Sequence, residues 1–327
     1  MKAVFLDYAS LDQNDLDFTH LEQAFTALIL YPATTPDQRI ERIQDADVVI
    51  TNKVIMDADT IRQCPQLKLI LIAATGTNNV DLVQSDAQNI IVCNCQAYGT
   101  AAVAQHTLML MLNLATSFRD YDRAVQQGDW QRANQFCLLN YPIVELTGKT
   151  LGVVGYGELG HAVAQLATAF GMQILIAQLP HRPPQADRIM LDELLAQVDF
   201  LTLHCPLTDE TRHLIDAAAL QKMKKSAFLI NCARGGIVNE DALADALRKN
   251  QIAGAAVDVL SVEPPRAGNV LLDPTLPHLI ITPHSAWGSI DARQRIIHQL
   301  IENVQAFQSA QPLRQVNSVK ILHNTPD

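Results

Sequence analysis

The sequence is poor in the features that would mark several classes of protein. Aromatic residues make up only 5% of it and charged residues 18%. Lys and Arg together number 24 against 34 Asp and Glu, a formal net charge of −10. So acidic a chain argues against nucleic acid or an anionic membrane as its main partner. It does not argue against a small anion, because a few local arginines override the global sign. Long hydrophobic runs are missing too. The most apolar stretch, Ala101 to Ala115, is interrupted by Gln105, His106 and Asn113 and is too short to span a bilayer. An acid at Asp7 arrives too early for a signal peptide, so a cytoplasmic protein is expected. Cysteine is sparse: Cys64, Cys93, Cys95, Cys137, Cys205 and Cys232. Cys93-Asn94-Cys95 is too tight for the usual zinc pair and no Cys/His cluster accompanies it, so no metal is expected. The thiols read as reduced and mainly buried.

Against these absences stands one strong pattern. Thr150-Leu151-Gly152-Val153-Val154 is a short apolar run that reads as a buried strand. It breaks into Gly155-Tyr156-Gly157-Glu158-Leu159-Gly160, and an Ala/Leu-rich helix follows at once. Gly-x-Gly-x-x-Gly between a strand and a helix is a dinucleotide-binding signature. Gly155 allows the tight turn, Gly157 lets a pyrophosphate approach the backbone, and Gly160 lets the helix pack closely on its strand. The free N–H groups and positive dipole end of that helix would hold the phosphates.

The length, 327 residues, suggests two domains. Strands are expected at Lys2 to Asp7, Ala46 to Thr51, Leu67 to Ala73 and Ile90 to Cys93. Helices are expected at Leu21 to Leu30, Pro36 to Gln44, Asp59 to Cys64 and Val80 to Gln88. This alternation implies a parallel sheet with helices on both faces. A long helix from Ala101 to Tyr121 follows, apolar on more than one face, which suggests burial against something besides its own domain, a partner subunit being one candidate. The polar stretch Gln126 to Asn140 carries Trp130 and Phe136, read as packing or interface residues. From Thr150 the rhythm repeats, with strands at Met172 to Ala177, Asp199 to His204, Ala227 to Cys232, Ile252 to Asp258 and Leu279 to Thr282. Its helices are Leu191 to Ala196, Ala217 to Met223 and Asn239 to Arg248. A final helix, Ser289 to Phe307, is expected to cross back to the first domain. The fold class is therefore α/β, two doubly wound parallel-sheet (Rossmann-like) domains with an interdomain cleft. The expected boundaries are 1–99 with 289–327 for a substrate domain and 100–288 for a dinucleotide domain. Hinges are expected near Gly99-Thr100 and Ala286 to Ser289.

An acid normally ends the second strand of such a domain, where it binds the ribose 2′-OH. Here the position is Gln178, followed by Leu179-Pro180-His181-Arg182-Pro183-Pro184. A carboxylate would repel a 2′-phosphate; Gln178 does not, and Arg182 or His181 could pair with one. NAD and NADP both stay open. A proline-rich surface loop with incidental basic residues accounts for the same stretch. Three further residues stand at or just past strand ends: Arg234, Glu263 and His284. Ligands in open α/β sheets bind beyond the carboxyl ends of strands, and three such types in one sheet point to a site.

Several motifs together resemble the D-isomer-specific 2-hydroxyacid dehydrogenases. They are Gly155-x-Gly157-x-x-Gly160, Asn231-Cys232-Ala233-Arg234-Gly235-Gly236, Asp258-Val259-Leu260-Ser261-Val262-Glu263-Pro264 and Thr282-Pro283-His284-Ser285-Ala286-Trp287. Asn52-Lys53 and Ala74-Thr75-Gly76-Thr77-Asn78-Asn79-Val80-Asp81 are most like the glycerate dehydrogenase (hydroxypyruvate reductase) branch. The resemblance implies hydride transfer from a nicotinamide to C2 of a small 2-keto acid such as hydroxypyruvate or glyoxylate. His284 would protonate the C2 oxygen, and Glu263 would hold the imidazole and favour its charged form. Arg234 would bind the substrate carboxylate and C2 oxygen in a forked geometry. Thr75, Gly76 and Thr77 would hold the carboxylate through backbone N–H groups, with Asn52 or Lys53 in reach. Asp258 would meet the nicotinamide carboxamide, or serve only to cap local N–H groups. Trp287 would line the pocket or pack at the hinge. The cofactor-binding set is completed by Tyr156, Glu158, Leu159, Cys205, Pro206, Cys232 and Ala233. A homodimer through the 101–121 region is the expected assembly. The long phosphoglycerate type is disfavoured, since no regulatory domain is expected after residue 327. A competing class is a dinucleotide-sensing corepressor-like protein without turnover, which keeps the same Arg/Glu/His set; it is disfavoured by the lack of a basic or disordered tail.

Overall fold

Short runs of Val, Ile and Leu become the buried parallel strands of a computed structural model that describes residues 1–180 and 182–319. The chain divides into two compact units: Met1–Gly99 with the segment from Gly288 onward, and Thr100–Trp287.

Unit 1 begins with β1 (Lys2–Phe5), α1 (Thr19–Gln23), β2 (Ala27–Leu30), α2 (Arg39–Ile43) and β3 (Val48–Thr51). It continues with α3 (Ala58–Arg62), β4 (Leu69–Ile72), α4 (Leu82–Ala87) and β5 (Ile91–Cys93). The strands form one parallel sheet in the order β2-β1-β3-β4-β5. Val48-Val49-Ile50 and Leu69-Ile70-Leu71-Ile72 are fully buried, and strands covered in this way need no polar alternation.

Unit 2 begins with α5 (Thr100–Thr116), α6 (Phe118–Gln126), β6 (Thr150–Val154) and α7 (Glu158–Ala169). Next come β7 (Gln173–Gln178), β8 (Ile189–Met190), α8 (Leu191–Gln197), β9 (Phe200–Leu203) and α9 (Ala217–Lys222). It ends with β10 (Phe228–Asn231), α10 (Glu240–Arg248), β11 (Gly254–Val257) and β12 (Leu279–Ile281). The sheet order is β12-β11-β10-β9-β6-β7-β8. The final helix, α11 (Ile290–Gln308), belongs to unit 1. The nearly buried Arg293 ties it there with two 2.7 Å bonds to the Asp15 carboxylate and one to the Leu11 carbonyl. The Arg293 bond is the main reason that carboxyl sits at about 2.

Both sheets have a point where the strand order reverses, the place where open α/β folds leave a crevice. In unit 1 it lies between β1 and β3; in unit 2 it lies between β6 and β9. The loops leaving these four strands carry Asp7, Asn52-Lys53, the Gly155 turn and His204-Cys205.

Two expectations fail locally. Leu21 to Leu30 is not a helix: α1 stops at Gln23 and the rest is edge strand β2. Periodicity does not separate a short apolar run in a helix from one in a strand, and pairing of Ala27 to Leu30 with Lys2 to Phe5 decides for the strand. The helix expected over Ala101 to Tyr121 breaks at Ser117, whose φ of 50° is left-handed. There the Ser117 hydroxyl bonds the Pro142 carbonyl at 2.7 Å and the chain restarts as α6. The buried stripe of α5, including Val103, Leu110 and Met111, packs within unit 2, where α5 meets α7. The two-residue strand β8 was not foreseen either.

Candidate active site

Five helix starts among the described residues follow side-chain capping chemistry. Asp57, Asp81, Asp216, Asn239 and Ser289 each accept an N–H three residues on, at the starts of α3, α4, α9, α10 and α11. Helix α7, like α1, α2, α6 and α8, has no side-chain cap, and its N-cap is Gly157. A Cβ at Gly157 would meet nothing within 4 Å, so the approach to this exposed residue is open. Gly155, at φ +94°, brings the turn against the His204-Cys205 backbone, and a Cβ at Gly160 would overlap the Gly155 carbonyl oxygen. An uncapped helix start with an open approach fits a dinucleotide pyrophosphate. Glu158 is turned to Thr100, whose hydroxyl donates to it at 2.5 Å. Tyr156 carries the Arg188 guanidinium 5.0 Å from its ring centroid. Leu159 is partly buried against the core, and Cys205 is buried, which pushes its thiol up to about 11. The Pro206 carbonyl accepts the Thr211 hydroxyl.

Gln178 ends β7, and its side chain is already engaged. Its amide donates to the carbonyls of Leu179, Arg182 and Pro183, and its oxygen accepts the Gln185 N–H. It therefore staples the turn that carries the exposed Arg182. His181 lies outside the described residues.

The rim formed by the exits of β10, β11 and β12 gathers the ionisable residues. Buried Asn231 closes the first turn, donating to the Arg234 carbonyl at 3.0 Å and accepting the Ala233 N–H at 3.1 Å. Cys232 and Ala233 are buried beneath it, and burial pushes the Cys232 thiol up to about 12. Arg234 itself is exposed. A Cβ at Gly235 would overlap the Leu260 carbonyl, so only glycine lets the two loops meet this closely. Glu240 on α10 fixes the second loop from behind, accepting the Ser261 N–H and hydroxyl and the Asn269 amide, each at 2.7 Å. Glu263 accepts the Leu260 N–H at 2.7 Å and faces His284 Nδ1 at 2.5 Å. Burial pushes the Glu263 carboxyl up, but the His284 bond, the Leu260 N–H and the nearby charges of His284 and Arg234 outweigh it, and the net shift is downward. With an ionised carboxylate on Nδ1, that nitrogen carries its proton, and Nε2 is the one that can exchange protons outward.

His284 sits at φ +54°, uncommon for a residue with a Cβ. Its N–H donates to the Asp258 carbonyl at 2.7 Å and the Thr282 carbonyl at 3.0 Å. The almost fully buried Asp258 carboxylate holds the same turn, accepting the Thr282 hydroxyl at 2.5 Å and the Ser285 and Ala286 N–H groups at 3.0 Å. Trp287 packs against the α5–α7 side of the core.

In unit 1, Asp7 plays a comparable part. Its buried carboxylate accepts the Asn52 N–H at 2.9 Å, the Lys53 N–H at 2.6 Å and the Val54 N–H at 3.2 Å. Burial raises its pKa despite these bonds. The Asn52 amide reaches the Ser10 hydroxyl. The Thr75 hydroxyl bonds the Cys95 carbonyl, the Thr75 carbonyl accepts the Asn94 amide, and the Thr77 carbonyl accepts the Val80 N–H, which fixes the loop around Gly76.

Residues 108–286 match the NAD binding domain of the D-isomer specific 2-hydroxyacid dehydrogenases. The chain belongs to this family. It is a nicotinamide-dinucleotide-dependent oxidoreductase of 2-hydroxy acids, and the matched stretch lies within unit 2. It is 44% identical over 313 residues to the glycerate dehydrogenase of Methylorubrum extorquens, covering 95% of this chain and 97% of that protein. It is 36% identical to the hydroxypyruvate reductase of Blautia hydrogenotrophica, covering 97% and 100% of the two chains. The solved TT0316 protein of Thermus thermophilus superposes with a TM-score of 0.84 at 30% identity, over 97% of this chain and all of that one. Among the described residues no helix is long and apolar enough to cross a membrane, and no group of His, Cys, Asp and Glu is placed to hold a metal ion.

Four residues of this 2-hydroxyacid dehydrogenase bond to the loops or their holders without a motif to mark that role: Asp7 to the Asn52 turn, Glu240 to Ser261, Thr282 to Asp258, and His106 to Thr282. Asp7 was visible only as an acid at a strand end, and His106 only as an interruption in an apolar helix. Nothing in a single sequence links His106 to Thr282.

Two substitutions test this geometry. Gly235→Ala must part the Arg234 and Glu263 loops; it is expected to cost about 1–3 kcal/mol of stability and to lower kcat, read by urea unfolding and steady-state rates. Wild-type values for both would show the close approach to be dispensable. Gln178→Asp removes the amide donor from the 178–185 turn and adds a carboxylate. The Kd ratio of NADPH to NADH is expected to rise about tenfold, and an unchanged ratio would detach Gln178 from cofactor choice.

Proposed function

We propose that this dehydrogenase reduces hydroxypyruvate or glyoxylate to the D-2-hydroxy acid, with His284, Glu263 and Arg234 as its catalytic set. The observation that carries the reading is the 2.5 Å contact of His284 Nδ1 with Glu263, within reach of the Arg234 charge. A nicotinamide held there would supply hydride to C2. His284 delivers a proton from Nε2 to the C2 oxygen as charge builds there, and takes it back in the oxidative direction. Glu263 keeps the imidazole oriented and stabilises its charged form. Arg234 pairs with the carboxylate and polarises the C2 carbonyl. Backbone N–H groups of Thr75, Gly76 and Thr77 bind the carboxylate, and Asn52, Lys53 and Trp287 shape the pocket. The Gly155–Gly160 turn holds the pyrophosphate of NAD or NADP. Asp258, whose Oδ2 is bonded among the described residues to the Ala286 N–H, would receive the carboxamide. The relatives named for glycerate and hydroxypyruvate support a small, polar 2-keto acid. On this reading unit 1 is the substrate domain, unit 2 the dinucleotide domain, and the enzyme is cytoplasmic.

We also propose a homodimer formed through α5, α6 and the stretch that follows. Phe118, Trp130, Phe136, Leu139 and Ile143 are all exposed there, with Phe136 at 90%. Exposed aromatic and aliphatic groups gathered in one stretch of chain favour a protein partner, and the partner proposed is a second copy.

A panel of 2-keto acids run with NADH and NADPH tests the activity, with hydroxypyruvate or glyoxylate expected to give the highest kcat/KM. Cofactor binding without turnover on any of them would refute it. His284→Ala is expected to cut kcat by about 10²–10⁴-fold and leave cofactor Kd within about twofold of wild type. An equal loss in Kd would move His284 out of the proton-transfer role. Sedimentation velocity at micromolar concentration is expected to give a dimer that Phe136→Asp weakens; a monomer in the wild type would remove the proposed interface.

A further inference from the structure

His106 lies on α5, far in sequence from the catalytic loops, and no role in the reaction has so far been given to it. Its Nε2 is 3.0 Å from the Thr282 hydroxyl oxygen and 3.6 Å from Asp258 Oδ1. Its side chain is 16% exposed and that of Asp258 1%. The directions of these bonds follow from counting protons. The Asp258 carboxyl oxygens take the Thr282 hydroxyl and the Ser285 and Ala286 N–H groups, so they act as acceptors. Thr282 has one hydroxyl proton and sits 2.5 Å from that carboxylate, the strongest acceptor in reach, so the proton goes there. The Thr282 oxygen must then accept from His106, which requires a proton on Nε2. The result is a one-way chain, His106 Nε2–H to Thr282 Oγ1–H to Asp258.

We propose that His106 is a positioning residue of the reaction, acting through Thr282 on Asp258. The consequence for the site is mechanical. Asp258 clamps the N–H groups of Ser285 and Ala286, and its carbonyl takes the N–H of His284. A carboxylate tilted by loss of the Thr282 bond releases the turn that keeps His284 left-handed and aimed. Oδ1 is bonded to Thr282 and Ser285, which leaves Oδ2, bonded to the Ala286 N–H, as the oxygen that would meet a carboxamide. The relay thus fixes both the proton donor and the face that meets the nicotinamide. The proposal rests on the reading of His284 and Asp258 given above.

Two neighbours bear on the protonation of His106. Burial lowers its pKa, and the Asp258 charge opposes that with the smaller effect. Cys232 feels the same carboxylate, but its thiol is pushed up to about 12 by burial and brings no second charge. His106 is therefore a neutral donor at neutral pH, and its tautomer is the one protonated on Nε2.

The tautomer is open to direct measurement. In the full-length protein labelled with ¹⁵N-histidine, the ring signal lost in His106→Gln is expected to be the Nε2–H form at neutral pH. A ring protonated at Nδ1 alone would overturn the relay. Function gives the second test. His106→Leu and Thr282→Val are each expected to lower kcat and to weaken NADH binding, followed by cofactor fluorescence, on the order of tenfold. His106→Gln keeps a donor near the same place and is expected to recover most of both. The double variant should be no worse than either single, as for residues in one chain of bonds. Wild-type kcat and Kd in His106→Leu, or no recovery with Gln, would overturn the proposal. Thr282→Val carries the test if the Leu variant does not fold. Failure of the wild type on every 2-keto acid would refute the reductase reading, while the tautomer and the NADH Kd would still decide the fate of the relay.

Discussion

A buried carboxylate that can only accept hydrogen bonds organises the reactive rim of unit 2. Asp258 is almost wholly removed from water, so each of its lone pairs must find a donor or cost several kcal/mol. It finds three: one hydroxyl and two main-chain N–H groups, all from the residues that flank His284. That requirement sets the path of the chain. It explains how a residue with a Cβ is kept at φ +54°: the backbone strain is of order 1–3 kcal/mol, smaller than the penalty for leaving the carboxylate unpaired.

Unit 1 reaches a related solution, there at the reversal of strand order between β1 and β3. Asp7 leaves β1 and takes three consecutive N–H groups from the turn that leaves β3. The shared logic is that a loop leaving one strand exposes hydrogen-bond donors, and an acid at the end of the neighbouring strand orders them. In unit 1 burial dominates and raises the acid's pKa; at Glu263 the hydrogen bonds and neighbouring positive charges dominate and lower it. One type of group thus serves as a structural clamp in one loop and as a charged partner for an imidazole in another.

How much of this could be read from the sequence depends on how local the physics is. The Gly155, Gly157 and Gly160 positions were legible because each answers to a constraint within a few residues: a positive φ, an open approach, a close packing contact. Arg234, Glu263 and His284 were legible as ionisable residues at or just past strand ends. What escaped was set by partners remote in the chain. Ala27 to Leu30 is strand rather than helix because β1 is there to pair with it. Ser117 breaks a helix because Pro142 offers a carbonyl. Gln178 was read as a missing acid, when its amide was needed to close the turn after β7. His106 looked like a blemish in an apolar helix until Thr282 and Asp258 stood beside it.

The charge of the molecule makes the same point about scale. A chain with a formal net charge of −10 is an unpromising receptor for an anionic acid and a diphosphate. Yet charges separated by more than about 10 Å are largely screened at ordinary ionic strength, so the global sum is not what a bound anion feels. Around the proposed site the near field comes from Arg234, a chargeable His284 and the uncapped start of α7. The acids closest to them, Asp258 and Glu263, are already matched to donors. Their charge is therefore directed into the protein, towards Thr282, Ser285, Ala286, Leu260 and the imidazole. It is this inward pairing, rather than any scarcity of acids, that would leave the rim attractive to a carboxylate.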